Sequence, residues 1–113
     1  MARIATENKN FSLALKLYQR VLIIDPNNFS AHNNCGVVLR ILKDPATALA
    51  HFESALRLQA DYPEAFNNAG VALIDLARRE EALSYFKKAL TLKPDYADAK
   101  ANLERVAKAF QLQ

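Results

Sequence analysis

Apolar residues recur along this chain at helical spacing. In the stretch ATALAHFESALRL, Ala48, Leu49, Phe52, Ala55 and Leu56 fall on one side of a 3.6-residue turn. In EALSYFKKALTL, Ala82, Leu83, Phe86, Ala89 and Leu90 repeat the arrangement. Alternation with a period of two runs over no useful length, so strands are not expected. The pattern predicts an all-α chain of seven helices: a short piece at 2–8, then 11–24, 29–42, 45–58, 63–76, 79–92 and 97–111. Pro45 and Pro63 suit first turns, where a missing N–H costs nothing, and Asp44 suits the N-cap before Pro45. The connections DPNN, ADYP and KPDY carry the Pro, Asp and Asn of tight turns.

The helices repeat in pairs. Gly36 and Gly70 are 34 positions apart, as are Asn33–Asn34 and Asn67–Asn68. Ala14, Ala48 and Ala82 form a series with the same step, and so do Tyr18, Phe52 and Phe86. A period of 34 fits two helices and their turns. One feature runs against helix propensity: each copy places two asparagines and a glycine in its first helix. Together they cost about 1.5–2.5 kcal/mol against alanines. The glycines lie where the two helices of a pair should cross, facing Ala48 and Ala82, so that the backbones approach closely.

The Gly, Ala, aromatic, Ala and Pro at these offsets resemble the tetratricopeptide repeat. On that resemblance the fold is an α-α superhelix, a right-handed solenoid of antiparallel helix pairs. Residues 1–113 form one domain: 1–28 a truncated first repeat, 29–62 and 63–96 full repeats, and 97–113 a capping helix. The fit is imperfect in detail. The first aromatic of the pattern is His32 in one copy and Phe66 in the next, and the residue before Gly is Cys35 or Ala69.

The resemblance places the first helix of each pair on the concave side. Asn34, Asn68 and Asn102 then recur at one place on three inner helices, like the asparagine ladder of superhelical members of the family. A carboxamide donates and accepts, so it can hold a peptide backbone whatever its sequence. At about 10 Å between helices, three rungs span about 20 Å, or about six extended residues. Val37, Val71 and Ile74 offer an apolar strip for ligand side chains, with Arg40 at its edge. Asn33 and Asn67 are weaker members of the site, because their series ends at Ala101. Chaperone-binding relatives use a clamp of Lys, Arg and Asn. Here its basic places hold Glu64 and Asp98, so acidic chaperone tails are not expected ligands.

Composition narrows the alternatives. Hydrophobic residues make up 51% and charged residues 24%, with two glycines and four prolines, which suits long helices in a globular chain. The net charge of +3 is spread among both signs with no like-charge run of five, so no nucleic-acid tail is read. Helical arrays that read RNA use a 35-residue period and a basic groove, against 34 here and the acids Glu64, Asp75 and Asp98. No run is long and apolar enough for a membrane span. With no signal-peptide core in the first ten residues, the expected place is cytoplasmic.

Cys35, the one cysteine, reads as a buried inert thiol. His32 and His51 sit on different helices, with His51 facing outward, and no set completes a metal site. Arg78, Arg79, Glu80 and Glu81 read as a solvated charge cluster. No nucleophile set, phosphate loop or dinucleotide fingerprint is present, so neither catalysis nor a cofactor is expected.

The expected function is noncatalytic binding of a protein or peptide segment, by an adaptor or scaffold. The alternatives are a self-associating array and the substrate-recruiting arm of a larger protein such as a glycosyltransferase. The thin cover over Tyr18 predicts either more chain before it or a homodimer through the truncated N-terminal repeat.

Overall fold

The computed structural model describes the backbone of residues 2–111 and the side chains of residues 10–110. Six helices follow one another: α1 (Ala2–Ile24), α2 (Phe29–Ile41), α3 (Pro45–Leu58), α4 (Pro63–Asp75), α5 (Arg79–Leu92) and α6 (Ala97–Gln111). No strand occurs among the described residues. The two pieces expected at 2–8 and 11–24 are one helix of 23 residues. Nothing between Ala2 and Ile24 breaks it: the segment holds neither glycine nor proline, and Asn8 and Asn10 weaken a helix without ending it.

Local chemistry fixes the other boundaries. The Asn28 side chain accepts from Ala31 N at 2.9 Å and starts α2. Asp44 accepts from Thr47 N at 3.2 Å and starts α3, with Pro45 in its first turn. Lys43 and Ala77, one period apart, turn the chain out of α2 and α4 with φ of 71° and 60°. In both places the following N–H reaches back to close the helix end, Asp44 N to Leu39 O at 2.9 Å and Arg78 N to Leu73 O at 2.8 Å.

The packing is that of a curved stack. Each helix packs on the next in sequence; in addition α2 touches α4 and α4 touches α6, whereas α1, α3 and α5 do not meet one another among the described residues. Hence α2, α4 and α6 line the inside of the curve, and α1, α3 and α5 lie outside. The radius of gyration is 14.7 Å, against about 13 Å for a compact domain of this length.

One core runs through the stack, with Cys35, Phe52, Leu73 and Phe86 its largest fully buried side chains. The helix pairs cross at the glycines, and the atoms nearest each glycine are those of an aromatic ring, Phe52 or Phe86. A Cβ on Gly36 would lie 2.5 Å from Phe52 Cε1, and one on Gly70 would lie 2.5 Å from Phe86 Cε1. Each ring lies against bare backbone, closer than any side chain allows. Burial pushes the Cys35 thiol up, which keeps it protonated and unreactive.

Candidate functional site

The asparagines divide into two kinds. Asn33 and Asn67 are buried, 7% and 6% exposed, whereas Asn34, Asn68 and Asn102 are half-buried. Asn68 Nδ2 on α4 donates to Asn33 Oδ1 on α2 at 3.0 Å. Asn102 Nδ2 on α6 donates to Asn67 Oδ1 on α4, again at 3.0 Å. The doublet therefore works in two directions. Its first member accepts from the repeat that follows, and its second donates to the repeat before.

Burial raises the Tyr62 and Tyr96 phenols above their ordinary value and the Glu64 charge raises them further, while the polar side chains of Ser30 and Asn33 pull Tyr62 back and that of Asn67 pulls Tyr96 back. Asn33 and Asn67 thus turn inward as clasps between repeats and orient the amides beside them. The sequence carried a sign of this. The acceptor series stops at Ala101, which is exposed on α6, the helix with no described inner helix after it. Asn34 makes no such bond among the described residues.

Val37, Val71 and Ile74 are half-buried on the inner helices beside the amides. Each is also packed against the core. Arg40 is tied down: its Nε lies 2.8 Å from Asp75 Oδ2, an ion pair that joins α2 to α4 without hydrogen-bond alignment. Both side chains are about a third exposed, so the pair contributes little to stability. Lys93 spans from the Tyr96 ring, 5.0 Å from its centroid, toward Glu64 at 3.9 Å.

His51 does not face outward. Its Nδ1 lies 3.1 Å from His32 Nδ1, and the rings are 5.3 Å apart. His32 Nε2 lies 2.9 Å from Pro26 O, so that nitrogen carries hydrogen and His32 Nδ1 is left to accept from His51. Burial lowers the His51 pKa from its ordinary value, and His32 lowers it further. The unfolded chain therefore binds the proton more readily. The contribution of His51 is whole above about pH 6.5 and is lost as pH falls through the imidazole range. The melting temperature should drop between pH 7.5 and 5.5, and His51→Gln should flatten that drop. An unchanged slope in the variant would refute the assignment.

The charge cluster at the start of α5 is ordered. Arg78 Nε and Nη2 donate to the two carboxylate oxygens of Glu81 at 2.8 and 2.7 Å. No group of three or more metal-ligating side chains gathers among the described residues. Among them, too, no helix is long and apolar enough to cross a membrane.

Comparison with known proteins agrees with this architecture. The sequence matches a tetratricopeptide repeat family model over residues 28–95. No curated protein matches the chain in sequence. Among solved structures, the first TPR of Spaghetti (RPAP3) bound to an HSP90 peptide, SRMEEVD, is similar: TM-score 0.89, 24% identity, covering 96% of this chain and 86% of that one. The Arabidopsis OM64 TPR domain aligns with TM-score 0.87 at 23% identity, covering 95% and 88%. The second TPR domain of human RPAP3, in complex with an HSP70 peptide, aligns with TM-score 0.84 at 22% identity, covering 90% and 85%. At these identities the likeness is one of fold.

Proposed function

Because the chain belongs to the tetratricopeptide repeat family, whose domains are protein-interaction modules, we propose that it is a noncatalytic binder of an extended peptide or partner segment. The ligand lies along the inner helices. Asn34, Asn68 and Asn102 hold its backbone, and Val37, Val71 and Ile74 receive its side chains. Arg40, held by Asp75, and the buried Asn33 and Asn67 set the positions of the groups that touch it.

The supporting observation is the pair of equal clasps. Each of Asn68 and Asn102 spends one amide hydrogen on the repeat before it. The second hydrogen and the carbonyl oxygen remain, in a fixed orientation and half exposed. A donor and an acceptor held in place on two successive inner helices match the N–H and C=O that an extended chain presents along its length.

Two of the similar structures hold chaperone peptides, SRMEEVD and SGPTIEEVD. The ligand proposed here is different in charge. Glu64 and Asp98, half-buried and exposed, border the asparagines and repel an acidic tail.

Asn34 offers the cleanest test, since its removal breaks no described bond. Peptides selected from a random display library against the intact chain supply the probe. Asn34→Ala should weaken them by about tenfold, one backbone hydrogen bond's worth, at unchanged melting temperature. Selected peptides that bind the variant and the parent equally would remove the ladder reading.

A further inference from the structure

His32 and His51 are the two histidines of the chain, and their Nδ1 atoms meet at 3.1 Å between α2 and α3. One period on, the same two places hold Phe66 and Tyr85, whose rings meet edge-on at 5.8 Å. An aromatic contact is therefore all that the packing of a helix pair needs here. The imidazoles add what Phe and Tyr lack, two ring nitrogens brought face to face. Both residues are half-buried, so water and small ions reach them.

We propose that His32 and His51 chelate one divalent transition-metal ion of the imidazole-seeking kind, Cu²⁺, Ni²⁺ or Zn²⁺, through their Nδ1 atoms, and that the ion staples α2 to α3. The distance fits. Metal–imidazole bonds of about 2.0–2.1 Å, enclosing an angle of about 95–110°, place two nitrogens about 3.0–3.4 Å apart. The nitrogens aim at each other, so the rings must swing until both lone pairs converge beside the line that joins them. The χ2 torsion of histidine is broad, which makes the swing cheap. Two protein nitrogens suffice for such ions, because water takes the remaining positions. Mg²⁺ and Ca²⁺ favour oxygen ligands and are not candidates.

The hydrogens fit as well. His32 Nε2 donates to Pro26 O at 2.9 Å, which aims the ring and leaves its Nδ1 with a lone pair. A backbone carbonyl behind the far nitrogen is the usual support of a metal-bound histidine. His51 makes no second described bond, so its ring makes the larger movement. Its hydrogen passes from Nδ1 to Nε2 by exchange with water, both rings stay neutral, and no proton is lost overall. Cys35, three positions after His32, is fully buried and is not a ligand. Because the two ligands lie on different helices, 19 positions apart, the folded chain binds the ion more tightly than the unfolded chain does, and binding stabilises the pair. None of the groove residues takes part, so the site stands independently of the peptide reading.

The intact chain, purified without a polyhistidine tag, is titrated with Ni²⁺ and with Zn²⁺ in a calorimeter. One ion should bind per chain. His32→Phe and His51→Tyr each borrow the residue of the next repeat, so both variants should fold, and each should bind at least about tenfold more weakly. At about a hundredfold excess over Kd the melting temperature of the parent should rise by at least about 4 °C, and that of either variant by less than about 1 °C. Bound Zn²⁺ should shift the Nδ1 signals of both histidines together, and Mg²⁺ should shift neither.

Equal affinity in the parent and in either variant, or a Zn²⁺ shift confined to one ring, would mean that a single imidazole holds the ion, and the chelate would be refuted. Binding that leaves the melting temperature unchanged would refute the staple. Neither heat nor a melting shift at about 1 mM metal would remove the proposal altogether.

Discussion

Phe86→Ala should cost about 3–5 kcal/mol, measured by chemical denaturation at equilibrium, the usual loss for truncating a fully buried ring. The native chain has of the order of 5–15 kcal/mol in all, so this single change takes a large part of its stability. Phe86 is fully buried, and its ring fills the space that Gly70 leaves by having no side chain. With the ring gone, neighbouring side chains cannot close the gap, because the α4 surface nearest to it is backbone.

The companion change tests the pairing itself. Gly70→Ala alone overpacks the crossing by about 1–3 kcal/mol, against about 1 kcal/mol of helix propensity regained. Combined with Phe86→Leu, which shortens the ring to a branched chain, it should lose less than the sum of the two single changes by at least about 0.5 kcal/mol. Additive losses, or a Phe86→Ala cost below about 1.5 kcal/mol, would show that the crossing is not the tight contact described.

The repeat, the hairpins and the glycine positions were all legible in the sequence, because the period of 34 constrains many residues at once. The contact each glycine makes was harder to read. Periodicity drew attention to the small Ala48 and Ala82, whereas the nearest approach to each glycine is made by the large aromatic one turn on, Phe52 or Phe86. The break expected after residue 8 came from repeat bookkeeping, and local chemistry overrode it, for no residue there ends a helix.

The histidines were misplaced for a related reason. A single helical face suggests solvent for His51, but the outer helix turns that face to its own inner helix, where Tyr85 also sits in the next copy. The same comparison, carried back one period, puts Leu17 at the matching place on α1. The asparagine doublet was legible as a repeated feature of the inner helices, but its bonding between repeats was not. The relevant spacing is 35, from the first Asn of one repeat to the second Asn of the next, and a search at the repeat period alone passes over it.

The three rungs, alike in sequence, should differ in what their loss costs. Asn68→Ala removes the donor that satisfies the Asn33 oxygen, and Asn102→Ala does the same to Asn67. Asn33 and Asn67 are buried between helices, so water replaces the lost donor poorly. A buried acceptor left alone costs about 1–3 kcal/mol, and each of these two variants should lose that much. Asn34→Ala should lose less than about 0.5 kcal/mol, as an ordinary half-exposed substitution does. Denaturation midpoints at constant slope would read all three. Under the proposed function the ranking has a binding counterpart. A rung that is also a clasp keeps one orientation before any ligand arrives, which lowers the entropy lost on binding. Asn34 would have to be ordered by the ligand itself. Equal costs at all three positions would mean that the clasps do not hold in solution, and the fixed orientation on which the proposed backbone recognition depends would go with them.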